Sequence, residues 1–211
     1  MPRNRTLACV FAHPDDDAYG AAGSVALHAD EPDFRFVLVQ ATSGEQGDIR
    51  DGFPASREAL GSVRRAEDEA AWRALGRSPD RQEWLGLPDG GLADLPFEEL
   101  VSAVARILDV EDPAVVVTFG PDGIFGHPDH ISIGAATDET FARLRSRSDS
   151  RSGLQRLAHG AVPQTCSNGG IASFDRSGTR LRGRNAKPVH LCSQTSSTVS
   201  TEPVQAEQAA R

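Results

Sequence analysis

Two short segments hold most of the residues that could do chemistry in this chain. They are Ala12-His13-Pro14-Asp15-Asp16-Asp17 and Gly126-His127-Pro128-Asp129-His130. Each gathers imidazoles and carboxylates around a proline. Imidazole nitrogens and carboxylate oxygens are good ligands for a zinc-like cation. Groups of the same kind left over beside a metal suit proton transfer. Two His and one Asp make a three-ligand set with one position open for water, as catalytic zinc sites require. A plainer role for the aspartates is to cap the helix that follows. Capping accounts for one Asp, but not for His-Pro or for three adjacent carboxylates, which repel unless a cation or proton offsets them.

The two segments lie more than a hundred residues apart, so folding must bring them together. Thr6–Ala12 is a continuous apolar run, the pattern of a strand buried on both faces. Phe34–Ala41 is a second such run, Glu83–Leu87 a weaker third and Ala114–Phe119 a clear fourth. Helical patterns alternate with them. Asp17–His28 is Ala-rich and follows acidic residues that favour a helix start. Ser56–Leu75 carries Leu60, Val63, Ala66, Ala70, Ala71 and Leu75 at helical spacing, with Gly76 suited to the C-terminal end. Pro96–Leu108 repeats the pattern through Leu100, Val101, Val104 and Leu108, and His130–Leu144 is a further helix. This alternation predicts an α/β fold, a Rossmann-like open and mostly parallel sheet flanked by helices. In such sheets ligands bind at the carboxyl ends of strands. His13–Asp17 follows the first strand directly. Gly126–His130 follows the fourth by the turn-rich loop Gly120–Phe125 and so reaches the same edge.

The 211 residues suffice for one sizeable core. Net charge is −8 and the isoelectric point is near 5.2, which argues against a general nucleic-acid binder. The charge is uneven: residues 1–150 hold 27 acids against 14 bases, and residues 151–211 hold 3 against 8. Cys9, Cys166 and Cys192 lack the spacing of a disulfide framework or thiolate zinc site and fit a reducing, cytoplasmic setting. No apolar run approaches the ~20 residues that span a bilayer. The short apolar stretch behind the basic start is not a signal peptide. Arg145–Ser152 reads as a polar linker. Residues 164–211 are poor in large apolar side chains and read as a disordered or divergent tail to a domain over 1–163.

The paired motifs resemble those of the PIG-L/LmbE-like family of zinc-dependent N-acetylglucosamine deacetylases, over about residues 5–145. Thr42-Ser43-Gly44-Glu45-Gln46-Gly47, Arg64-Arg65-Ala66-Glu67 and Leu85-Gly86-Leu87-Pro88-Asp89-Gly90-Gly91 resemble further family segments. The resemblance implies that His13, Asp16 and His130 bind the metal, Zn2+ or alternatively Fe2+. It implies Asp15 as the general base acting on water. His127 would stabilise the oxyanion or protonate the leaving amine, with Asp129 orienting it. Arg64, Asp89 and more weakly Glu45 would contact substrate. That substrate would be a small N-acetylated amino sugar, cleaved to free amine and acetate, in an enzyme that could be a homo-oligomer. Asp17 stands where the family usually has Glu, and beyond Pro163 the resemblance ends. Two alternatives remain: an amidase on a mycothiol-type conjugate, and a non-catalytic sugar- or metal-binding relative. His28, His159 and His190 have no partners in sequence and read as structural, and Cys9 as a buried apolar filler. Gly20–Gly23 lacks the spacing of a dinucleotide-binding turn.

Overall fold

The computed structural model describes residues 4–147 and 153–160. Five strands form one parallel sheet: β1 (Thr6–Phe11), β2 (Arg35–Gln40), β3 (Arg81–Trp84), β4 (Val115–Phe119) and β5 (Arg156–Gly160), in the order β3-β2-β1-β4-β5. The helices are α1 (Asp16–His28), α2 (Arg57–Ala74), α3 (Phe97–Glu111), an irregular turn α4 (Gly123–Gly126) and α5 (Pro128–Arg147). β1 is buried at every position, as its unbroken apolar run requires.

The strand order matters more than the strand count. From β1 the chain steps outward to β2 and β3, then crosses back to place β4 on the other side of β1. Crossovers of one hand therefore put α1 and α2 on one face of the sheet and α3 and α5 on the other. Loops after β1 and β4 diverge to opposite faces and leave a crevice between them, the position where open α/β sheets bind ligands. Both chemical segments border this crevice.

Several expected boundaries shift for local reasons. The third strand covers Arg81–Trp84 rather than Glu83–Leu87, because Gly86 turns the chain at φ 69°. Leu85 and Leu87 still donate to Gln40 and Ala41 carbonyls (both 2.9 Å). The expected linker at Arg145 does not begin there. Helix α5 runs through Arg147, and Arg145 Nη1 donates to the carbonyls of Leu154 (3.1 Å) and Gln155 (2.9 Å). The polar stretch 164–211, with Cys166, Cys192 and His190, lies outside the described residues, as do 148–152 and 161–163.

Helix α3 buries Leu100, Val101, Val104 and Leu108 as its periodicity predicts, packed on α5. Helix α2 departs from its prediction. Ala66, Ala70, Ala71 and Leu75 are exposed, and the inward stripe is Leu60, half-buried Arg64, Asp68 and Trp72 at successive spacings of four. One Trp buries more apolar area than several alanines, and the polar members of the stripe find partners, Asp68 on the sheet and Arg64 on the loops after β1 and β2. Trp72 is 1% exposed and its ring lies 4.8 Å from that of Phe36. Trp72→Ala is expected to cost about 3–5 kcal/mol in urea unfolding. A loss under about 1 kcal/mol would contradict this account of how α2 packs.

Candidate active site

The first segment forms the turn between β1 and α1. Asp15 occupies a left-handed backbone conformation (φ 95°) at the helix start, yet its side chain makes no capping bond. The main-chain N–H of His13 instead donates to Asp16 Oδ2 (2.8 Å). Near the second segment, Ile124 is also left-handed (φ 69°). Non-glycine residues in this region store strain that surrounding structure must hold, a feature that clusters at active sites.

The imidazoles of His13 and His130 and the carboxylate of Asp16 converge. His130 Nε2 lies 3.2 Å from His13 Nδ1 and 3.4 Å from Asp16 Oδ1, and His13 Nδ1 lies 3.3 Å from Asp16 Oδ2. Ligands about 2.0–2.1 Å from a tetrahedral ion sit about 3.3 Å apart. The three donors therefore have the spacing such an ion needs, and they form one of two His/Asp groups with metal-site geometry among the described residues.

The far sides of both rings are fixed. His130 Nδ1 lies 3.1 Å from the Gly123 carbonyl, so this nitrogen carries the proton and Nε2 keeps its lone pair. Its ring stacks on Phe119 at 3.9 Å and 5°. His13 Nε2 lies 3.1 Å from Asp89 Oδ1 and 3.2 Å from Asp129 Oδ2, which places its proton there and leaves Nδ1 for a cation. A carboxylate behind a ligating imidazole sets its tautomer and raises its basicity.

Asp129 meets both imidazoles, each by a different group. The Asp129 carboxylate orients His13, not His127, and accepts main-chain N–H bonds from Gly90 (2.7 Å) and Leu92 (3.0 Å). Its contact with His127 is through the main chain: Asp129 N–H donates to His127 Nδ1 (3.2 Å). The reason is register at the start of α5, where the fully buried Asp129 side chain points inward beside His130. The second group with metal-site geometry, His13, His127 and Asp129, shares these same residues.

Burial acts first on these groups, and local bonds then decide the direction. Burial lowers the His13 pKa, but hydrogen bonds to Asp129 and Asp16 overcome it and raise it to about 9. Burial raises the Asp129 pKa, but His13 and the two main-chain donors bring it below the usual carboxylate value. His130 is lowered, mainly by burial. Metal-free protein is thus expected to carry a proton on His13 at neutral pH. Stability from this proton is full below about pH 6.5 and fades as pH rises through about 9. Chelator-treated protein should lose melting temperature across that window, and zinc-loaded protein should not. Identical profiles for the two would contradict this proton–metal exchange.

Asp15 stands beside the donor set, its carboxylate 3.1 Å from Arg64 Nη2. Burial raises its pKa against the pull of Arg64. Arg64 also donates to the carbonyls of Pro14 (2.6 Å) and Gly44 (3.3 Å). Gly44 has φ 64°, and a Cβ there would collide with the Arg64 guanidinium. Gly44→Ala should displace Arg64 and lower turnover more than stability. Unchanged kcat/KM in a folded Gly44→Ala protein would refute that coupling.

His127 is half-buried, its ring centroid 4.9 Å from His13 and 4.6 Å from His130. Because its Nδ1 accepts from Asp129 N–H, its donor is Nε2–H. The remaining substrate candidates turn inward. Asp89, with a side chain 7% exposed, holds His13 and accepts from Gln46 N–H (2.7 Å). Glu45 accepts from the N–H groups of Ser43 and Asp89 (both 3.1 Å). Asp89 and Glu45 thus tie the loop after β2 to the turn after β3.

Three features were not anticipated from sequence. The Gly123 carbonyl has no side-chain signature. The Phe119 stack on His130 could have been inferred only from the strand end it occupies. The third is a buried polar group formed by Asp17, Gln40, Asp68, Trp72 and Gln82. Burial, then the nearby Asp68, push Asp17 up to about 7. Other titratable side chains are structural as expected. His28 pairs with Glu31 (3.0 Å) and His159 with Asp138 (2.8 Å), while burial pushes the Cys9 thiol up.

A family profile described as GlcNAc-PI de-N-acetylase, PIG-L, matches residues 8–141 and so takes in both segments and everything between them. The chain belongs to the PIG-L family. A Saccharopolyspora erythraea protein named 1D-myo-inositol 2-acetamido-2-deoxy-alpha-D-glucopyranoside deacetylase 2 is 37% identical over 147 residues, covering 60% of this chain and 53% of that protein. A Mycobacterium sp. (strain KMS) deacetylase of the same substrate name is 35% identical over 160 residues, covering 66% and 51%. This PIG-L chain therefore spans about half the length of these curated relatives. Among solved structures, a conserved protein from Thermus thermophilus is similar at TM-score 0.57 and 28% identity, covering 75% of this chain and 66% of that one. An N,N'-diacetylchitobiose deacetylase from Pyrococcus horikoshii shares the fold at TM-score 0.60 and 24% identity, covering 74% and 60%. Among the described residues no helix is long and apolar enough to cross a membrane.

Proposed function

We propose that this chain is a metal-dependent N-deacetylase of small N-acetylglucosaminyl compounds, releasing free amine and acetate. The carrying observation is the convergence of His13 Nδ1, Asp16 and His130 Nε2 at 3.2–3.4 Å, bordered by Asp15 and His127. The names of the curated relatives, all acting on an acetamido sugar linked to inositol, support the substrate class. His13, Asp16 and His130 would hold Zn2+ or Fe2+. When bound, such an ion supplies Lewis-acid polarisation and brings the pKa of a water to about 7.

The chain's own groups account for the proton movements. Asp15 takes the proton of the attacking water, and its raised pKa favours accepting it. His127 presents Nε2–H, fixed by the Asp129 main chain, to the oxyanion of the tetrahedral intermediate. Collapse breaks the C–N bond, and the proton that Asp15 took from the water passes to the leaving amine, while His127 keeps its Nε2–H. Asp129 and Asp89 hold His13, and Arg64 holds Asp15. We infer that Arg64, Asp89 and Glu45 act on substrate chiefly by fixing these groups.

The experiment is acetate release from a panel of N-acetylglucosaminides, including a glucosaminyl-inositol, with and without chelator. Chelator-sensitive release restored by Zn2+ or Fe2+ is expected. Activity surviving exhaustive metal removal would overturn the metal-dependent mechanism. A second reading is a metal-binding relative without catalysis, which the same His/Asp donor set would also serve. Stoichiometric metal with no acetate release from any substrate would favour it.

A further inference from the structure

The buried polar group behind the active site is more than a sheet–helix contact needs. Helix α2 presents Arg64, Asp68 and Trp72 at spacings of four, on one side of the helix. Arg64 grips the front of the 13–17 turn through the Pro14 carbonyl and the Asp15 carboxylate. Trp72 donates its indole N–H to Asp17, the residue just past Asp16. Gln40, at the end of β2, donates from one amide nitrogen to Asp17 Oδ1 and Asp68 Oδ1 (both 3.1 Å). Gln82, on β3, donates to Asp68 Oδ2 (2.7 Å). Asp17, Gln40 and Trp72 are at most 1% exposed and Asp68 is 5% exposed.

An apolar contact would hold α2 to the sheet at lower desolvation cost. The two buried carboxylates, Asp17 and Asp68, approach each other and otherwise meet only the neutral donors of Gln40, Gln82 and Trp72, and Gln40 Oε1 is buried with no partner among the described residues. An amide oriented so as to leave its own oxygen unpaired is serving its neighbours' geometry. What sits between the front and rear grips is Asp15, the left-handed residue with φ 95°. A strained conformer persists only where its surroundings over-determine it.

We propose that the α2 stripe Arg64–Asp68–Trp72, acting through Gln40 on Asp17, is a clamp that holds the 13–17 turn. It keeps Asp15 in its strained conformation and aims the Asp16 carboxylate at His13 and His130. Asp17, Asp68 and Trp72 are positioning residues. This rests on the assignment of Asp16 and His130 as ligands made above.

The test is Co2+ titration of the full chain, followed by its visible absorption, alongside thermal melts of the chelated protein. Trp72→Phe removes the indole N–H and keeps an aromatic ring. It should weaken Co2+ binding about 10–100-fold, the range for groups that orient metal ligands. Val104→Ala, in α3 on the opposite face, serves as a variant that loses melting temperature without touching the clamp, and its Co2+ affinity should stay within about threefold of wild type. Wild-type affinity in Trp72→Phe, or equal weakening in both variants, would overturn the clamp. If Trp72→Phe does not fold, Asp68→Asn is read in the same way. His130→Ala separates the premise from the proposal. Affinity lost in His130→Ala but kept in Trp72→Phe overturns the clamp alone. Affinity kept in both overturns the ligand assignment itself.

Discussion

Asp15→Asn should lower turnover by about 10²–10⁴-fold, the range a positioned general base contributes, while metal content stays at the wild-type level. Asparagine is the right substitute on two grounds. It tolerates the left-handed backbone at φ 95° better than alanine, so the turn survives. It also keeps a carbonyl oxygen for Arg64, which now meets Asp15 at 3.1 Å. What it loses is the capacity to take up a proton. The measurement is kcat on a responsive N-acetyl sugar together with metal analysis of the purified protein. A metal-loaded Asp15→Asn enzyme with normal kcat would remove Asp15 from the chemistry. Loss of metal would instead make Asp15 a ligand.

His130→Ala should abolish stoichiometric metal and with it all activity. It removes one of three donors that approach one another to 3.2–3.4 Å. The loss should exceed the ~10–100-fold weakening expected when only an orienting partner is removed. Asp129→Asn, which removes one of the two carboxylates on His13 and leaves Asp89, should fall within that smaller range. The order His130→Ala, then Asp129→Asn, then wild type in metal affinity is the signature of the site as built. Asp129→Asn losing metal as completely as His130→Ala would favour the alternative group His13, His127 and Asp129. Since the His130 ring also stacks on Phe119 at 3.9 Å, circular dichroism must show that the variant is folded.

The parts of the site visible in sequence are those whose chemistry is local. A strand buried on both faces writes itself as an unbroken apolar run, and Thr6–Phe11 does so. Ser56 is a legible helix start, and its side chain does accept from Ala59 N–H. Helix α2 shows the opposite case. Its apolar residues suggest one face, but a single Trp and two polar residues with partners on the sheet and its flanking loops outweigh four small or exposed side chains. Helical periodicity counts hydrophobic residues and is blind to buried polar ones that are satisfied elsewhere. The inward turn of Asp89 and Glu45 was hidden for a related reason. A carboxylate in a Gly-rich turn has the same sequence signature whether it faces solvent, substrate or another loop.

Donor types, strand–helix alternation and, through the two His-Pro-Asp segments, the family are all legible in the residue order. These depend on residue identity and on spacings of a few positions. How the donors pair depends on the folded packing. The β3-β2-β1-β4-β5 order makes β1 and β4 neighbours and sets His13 against His130. The same packing gives the Asp129 carboxylate to His13 instead of His127, and its main-chain N–H to His127. The physical reason is that a hydrogen bond selects its partner by distance and direction within a few tenths of an ångström. Neither quantity is set by sequence separation once the chain has crossed over the sheet.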